Sequence, residues 1–183
     1  MPFTPDNELE LLFPAEIIPQ SVKDALPSDL YMRPLASTDF HRGHLDVLSV
    51  LTVVGSPAEA AYRSQFAYLK STPSTYYTLV IIDKNSDRVV GVGSVFMEHK
   101  FLRSLGTVGH IEDIAVDKSQ QGKKLGLRII NALTLISESH GAYKTILNCS
   151  DSNVPFYEKC GYGRKENEMA KYAPEQRAHT PLL

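Results

Sequence analysis

A strand, a small-residue loop and a helix follow one another between positions 110 and 133, and that order constrains this chain more than any other feature. The strand reads His110-Ile111-Glu112-Asp113-Ile114-Ala115-Val116, the loop Gln121-Gly122-Lys123-Lys124-Leu125-Gly126, and the helix Leu127-Arg128-Ile129-Ile130-Asn131-Ala132-Leu133. A helix opening from such a loop leaves several backbone N–H groups without partners, and the positive end of its dipole reinforces them. The result is an anion site, and Lys123 and Lys124 add charge that a pyrophosphate could use. The same six residues also read as a plain connection with two solvated lysines. Residues further down the chain have to decide between the two.

At 183 residues the chain has the length of one domain and can bury a core. A formal charge of −2 argues against a nucleic-acid partner, because phosphate-backbone binding needs a clear basic excess. No apolar stretch approaches the roughly 20 residues that span a bilayer, so no membrane insertion is expected. The first residues, Met1-Pro2-Phe3-Thr4-Pro5, have neither a basic start nor an apolar signal core. Cys149 and Cys160 are too few for a disulfide scaffold and lack metal-ligand spacing. Reduced thiols, no metal and a cytoplasmic location are the expectation.

Pro2, Pro5, Pro14, Pro19 and Pro27 spoil helix and central-strand patterns over residues 1–27, which read as an extension wrapping the body or a partner subunit. Leu30 to Leu35 reads as a first strand. Ser37-Thr38-Asp39 can cap a helix whose apolar face is Leu45, Leu48, Val50 and Leu51, and Pro57 can open a second helix through Lys70. Strands are expected at Tyr76–Ile82, Arg88–His99 and Thr107–Val116, the first two joined by a polar turn at 83–87. A helix to about His140, a strand Thr145–Cys149, a short helix from about Asn153 to Lys159 and a last strand from Tyr162 complete the chain. The order β-α-α-β-β-β-α-β-α-β predicts a mixed α/β fold, with a mostly antiparallel sheet and flanking helices. The domain is expected over 28–172, and the polar tail 173–183 is expected to be loosely held.

Three ordered motifs carry a resemblance: Gly109-His110-Ile111-Glu112-Asp113-Ile114-Ala115-Val116, the Gln-Gly-x-x-Leu-Gly loop at 121–126, and Asn153-Val154-Pro155-Phe156-Tyr157-Glu158-Lys159-Cys160-Gly161-Tyr162. Together they resemble the GNAT-type N-acetyltransferase superfamily. With Leu51-Thr52-Val53-Val54-Gly55 they are similar to its glucosamine-6-phosphate N-acetyltransferase family, over about residues 30–172. The resemblance implies a GNAT acyltransferase fold whose sheet splays at an acetyl-CoA site, with acetyl-CoA as co-substrate and an amino-sugar phosphate as acceptor. It also implies a homodimer in which one subunit completes the other's sugar site.

It assigns Gln121, Gly122, Lys123, Lys124, Leu125, Gly126 and Leu127 to the pyrophosphate, and main-chain groups of Ile114, Ala115 and Val116 to the pantetheine arm, paired like an added strand. An N–H near Ile114 would stabilise the oxyanion. Where the family usually has a middle glycine this chain has Lys124, which still offers its N–H, so binding survives if its φ stays negative. Tyr157 would protonate the leaving thiolate, although it could equally be a core aromatic. Asn153 would cap the short helix and contact the coenzyme. Glu112, with Asp113, would meet the amine, and strand alternation lets only one of the pair face it. Asn148 stands where relatives have a carboxylate; it can orient an amine but cannot take its proton. Thr52, Glu98, Lys100 and Arg103 would bind the sugar phosphate, with Leu133 and Thr134 closing the pocket and Arg128 and Lys144 as further cations. Two other readings stay open: an acetyltransferase for a different small amine, and a non-catalytic acyl-CoA-binding protein.

Overall fold

Two runs of β-forming residues build the centre of the protein: β2 (Tyr76–Asp83) and β3 (Arg88–His99) pair antiparallel across a turn at 84–87. Asp83 closes that turn, its carboxylate accepting from the Asn85 N–H at 2.9 Å. β1 (Leu30–Pro34) adds to β2 and β4 (Thr107–Val116) to β3, both antiparallel. β5 (Ala142–Leu147) adds parallel to β4, completing a mixed sheet of order β1-β2-β3-β4-β5. The computed structural model describes residues 3–173 in two compact units, one ending at Leu147 and the other beginning at Asn148.

Between β1 and the central hairpin lie α2 (His44–Leu48) and α3 (Glu59–Lys70), and a one-turn coil, α4 (Leu102–Leu105), links β3 to β4. Helix α5 (Leu125–Ser139) crosses from β4 to β5. Its Leu125, Ile129, Ile130, Ala132, Leu133 and Ile136 are at most 2% exposed. Each large aliphatic side chain so buried contributes about 1.5–3 kcal/mol, which makes this helix the main cover of the sheet. The second unit holds a 3-10 turn, Asp151–Asn153, and α6 (Val154–Lys159).

The expected order of elements holds through α6, with four differences. Among the described residues no strand follows Tyr162: residues 162–173 have no regular structure. The helix expected to reach Leu51 stops at Leu48, leaving Val50 and Leu51 exposed. Strand β5 lies three residues earlier than expected at its start, so Asn148 and Cys149 fall beyond its end. Prolines do not exclude a helix from the extension either: α1 (Gln20–Asp24) starts directly after Pro19, a position where a missing N–H costs nothing. The tail expectation falls largely on residues 174–183, outside those described.

The extension wraps the body. Leu12, Phe13, Ile18 and Val22 are buried, and Leu12 N–H donates to the Leu35 carbonyl at 2.8 Å. At its start, the Thr4 hydroxyl donates to Asp87 at 2.7 Å, and Arg42 donates to both.

Asp39 does not cap a helix. Its carboxylate takes both Arg33 guanidinium donors at 2.7 Å and the Ala36 N–H at 2.7 Å, with the pair 1% and 0% exposed. Helix α2 starts instead after Gly43, at φ +83° with no capping side chain. Beside it, His44 hydrogen-bonds Tyr62 at 3.1 Å, and burial pushes its imidazole down to about 4. An unfolded histidine titrates near 6.5, so the unfolded chain takes up the proton first as pH falls. Stability should therefore drop by up to about 3 kcal/mol between roughly pH 6.5 and 4. Urea unfolding at pH 7 and 4.5 checks this, and His44→Gln should flatten that part of the profile.

Candidate active site

The β4–β5 pairing runs from Thr107 opposite Ala142 to Ile111 opposite Leu147, where β5 ends. Ile114, Ala115 and Val116 therefore keep β3 on one side and carry no β5 partner on the other. A strand edge of this kind, bounded by backbone donors and acceptors, can accept an extended amide-bearing chain.

Just before that edge the strand bulges. Glu112 stands opposite Ser94 and Ala115 opposite Val92, so Asp113 and Ile114 together face the single residue Gly93. Asp113 adopts φ +56°. The bulge breaks the strict two-residue alternation from which the sequence reading argued, and Glu112 and Asp113 are both exposed. Gly93 is required here. A Cβ on it would lie 2.5 Å from Ile129 Cγ2 and 2.6 Å from Ile114 Cδ1, forcing helix and bulge apart.

The loop after β4 is ordered by Asp117, which accepts from the Ser119 N–H at 2.8 Å and from its hydroxyl. Gly122 is left-handed at φ +86°, a backbone conformation that favours glycine, with no protein atom near where a Cβ would be. Lys124, the residue preceding α5, sits at φ +59° and ψ +26° and gives no side-chain cap. The condition of a negative φ is not met: the loop keeps a left-handed turn at this place although a lysine occupies it. An L-residue there costs about 1–2 kcal/mol, so Lys124→Gly should stabilise by roughly 0.5–1 kcal/mol once glycine's extra unfolded freedom is set against it. Chemical denaturation of the glycine variant beside Lys124→Ala, which keeps the strain, measures this.

Helix α5 thus begins uncapped behind two left-handed residues, with Gln121, Lys123 and Lys124 exposed. An anion is the natural partner for such a terminus. Lys123 lies 3.7 Å from Asp29, and Arg128 donates to the Ala25 carbonyl, capping α1. Lys124, Leu127 and Arg128 face a cavity of about 310 Å³ shared with Ser21 and Val22 of α1 and with Ala25, which follows it. Leu125 and Leu133 are core residues, and the Thr134 hydroxyl donates to the Ile130 carbonyl at 2.8 Å.

The expected sugar-phosphate residues fall into two places. Thr52 is exposed on the rim of a groove of about 550 Å³ formed by residues 45–55. Glu98 and Lys100 are joined by an ion pair at 2.5 Å, and the other Glu98 oxygen meets His110 Nε2 at 2.9 Å. Lys100 and His110 together hold the Glu98 carboxyl below the usual range. Arg103 stacks over Tyr143 at 5.7 Å, in a coil where it, Ser104 and Leu105 are all left-handed. Strain of this kind gathers where a loop serves a site rather than the fold. Lys144 is exposed on β5.

In the second unit, Asn148 is exposed, and the Asn153 side chain does not cap α6 as expected. Tyr157 is half-buried, its ring 5.0 Å from Phe156. Burial pushes the Cys160 thiol up, away from a reactive thiolate. Cys160→Ala should therefore keep most of the wild-type turnover in a thiol-release assay. Among the described residues no cluster of three or more His, Cys, Asp or Glu could hold a metal, and no helix is long and apolar enough to cross a membrane. His110 and Asp39 were the residues missed by motif reading. The signal for His110 was its place in the β4 motif, two residues before Glu112.

Residues 42–162 match the Acetyltransferase (GNAT) family, and this chain belongs to it: it is an acetyltransferase of the GNAT fold. Within that family it groups with the glucosamine 6-phosphate N-acetyltransferases. It is 44% identical over 137 residues to the enzyme of that name from Candida albicans, covering 75% of this chain and 91% of the relative. It is 42% identical over 142 residues to glucosamine 6-phosphate N-acetyltransferase 1 of Dictyostelium discoideum, covering 78% and 90%. The crystal structure of the Arabidopsis thaliana glucosamine-6-phosphate N-acetyltransferase superposes with a TM-score of 0.77 at 38% identity, covering 78% of this chain and 97% of that one.

Proposed function

We propose that this acetyltransferase moves the acetyl group of acetyl-CoA to the 2-amino group of D-glucosamine 6-phosphate, giving N-acetyl-D-glucosamine 6-phosphate and CoA. The observation that carries this reading is the open β4 edge running into an uncapped α5. Ile114, Ala115 and Val116 would pair with the pantetheine amides, and Gln121 to Leu127 would hold the pyrophosphate through main-chain N–H groups.

The reaction is direct attack without an acyl-enzyme. The amine nitrogen bonds to the thioester carbonyl carbon, a backbone N–H near Ile114 stabilises the oxyanion, and the C–S bond breaks. Tyr157 gives the departing sulfur its proton, and Asn153 contacts the coenzyme. Glu112 or water takes the ammonium proton, while Asp113 and Asn148 orient the nitrogen; positioning supplies much of the rate. Thr52, Glu98, Lys100 and Arg103 bind the sugar and its phosphate, and Thr134 borders the pocket. We take the enzyme to be a cytoplasmic homodimer. Phe101, Leu102 and Leu105, 93%, 72% and 72% exposed, give it an apolar patch for a second copy.

Thiol release measured with a panel of amino sugars, phosphorylated and not, tests the reading. Glucosamine 6-phosphate should be turned over far faster than glucosamine. Equal rates would mean that Lys100 and Arg103 bind no phosphate, and no release with any amine would leave only acyl-CoA binding.

A further inference from the structure

One strand face joins the two ends of the proposed acceptor site. On β4, His110 stands directly opposite Phe96 of β3, and their rings stack at 4.5 Å between centroids with 13° between planes. Two residues further along β3, on the same face, is Glu98; two residues further along β4, at the edge of the bulge, is Glu112. His110 Nε2 lies 2.9 Å from one Glu98 oxygen, and the other Glu98 oxygen holds the Lys100 ammonium at 2.5 Å. An ionised carboxylate only accepts, so Nε2 carries the proton of that bond. The chain Phe96–His110–Glu98–Lys100 thus runs from a fixed aromatic plate to a cation with two N–H donors to spare. Its members are partly shielded: the His110, Lys100 and Glu98 side chains are 23%, 27% and 40% exposed.

We propose that His110 is a positioning residue for the phosphate of the acceptor: by clamping Glu98 it places the Lys100 ammonium at a set distance from the amine-binding end of β4. A long, flexible lysine would otherwise sample many rotamers, and each must be given up on binding. A Glu98 held on one side only would follow Lys100 instead of directing it. The inference rests on the acceptor reading above and adds to it the residue that sets the phosphate preference.

The test is steady-state kinetics on His110→Leu and His110→Gln. The leucine keeps the bulk against Phe96 but offers Glu98 nothing; the glutamine amide can restore the donor. His110→Leu should raise KM for glucosamine 6-phosphate about tenfold, the scale of one hydrogen bond to a charged group. Its KM for acetyl-CoA and its kcat should change by less than about twofold, and His110→Gln should recover most of the loss. The preference for glucosamine 6-phosphate over glucosamine should fall by the same factor. An unchanged sugar-phosphate KM in His110→Leu would overturn the inference. So would a loss shared by both substrates, or one that glutamine does not rescue, because that pattern is plain destabilisation. Wild-type enzyme indifferent to the phosphate would instead remove the parent reading, and this one with it.

Discussion

Tyr157→Phe should lower kcat by at least about a hundredfold while leaving acetyl-CoA affinity within about twofold, the pattern of a lost proton donor rather than a lost contact. The phenol and the phenyl ring differ by one oxygen, so the contact of ring 157 with Phe156 survives the change. What disappears is the proton that the coenzyme A sulfur needs as the tetrahedral intermediate collapses. Without it a thiolate leaves unaided, or water substitutes poorly. Thiol-release kinetics with saturating glucosamine 6-phosphate, beside a binding isotherm for acetyl-CoA, separates the two effects. A variant that turns over at the wild-type rate would show that the departing sulfur is protonated from solvent.

Asp39→Ala should be the most damaging single change to stability, at about 3–5 kcal/mol, because it strands the buried Arg33 guanidinium without its counter-charge. The Ala36 N–H loses its acceptor at the same stroke. Both groups are at the hinge between β1 and the segment that carries α2, so the loss falls on the sheet edge and the extension together. For a chain of this size the melting temperature should fall by about 10 °C. Replacing the pair as a whole, Arg33→Met with Asp39→Leu, should recover much of the loss, since the cost lies in the unpaired charge and not in the missing bridge. A small effect in Asp39→Ala would mean that water reaches Arg33.

The sheet was legible in the sequence because its strands obey local rules. Tyr76–Asp83 is dense in β-formers, Arg88–His99 follows a polar turn, and both strands appear where composition puts them. The loop before α5 was legible for a different reason: a glycine between strand and helix marks a turn, and the structure has Gly122 left-handed there. What escaped was set by tertiary contact. Nothing local distinguishes Asp39 as a helix cap from Asp39 as the partner of Arg33; only burial does. The alternation of Glu112 and Asp113 failed because a bulge against Gly93 inserts one residue, an event decided by how closely Ile129 approaches the strand. The left-handed Lys124 escaped for the same reason, since a loop's φ values are imposed by the elements it joins. His110 was in plain view as a strand residue, but its role needs the Glu98 carboxylate across the hairpin.

The first 27 residues have a practical consequence. A shortened chain starting at residue 28 would strip the neighbours from Leu35 and Tyr77, remove the Ala25 carbonyl that Arg128 grips and free Lys123 from its approach to an anchored Asp29. Such a polypeptide would carry an oily scar along one flank and a less firmly held α5. Recombinant work that trims away residues 1–27 would then be studying a stickier and more fragile catalyst than the untrimmed chain.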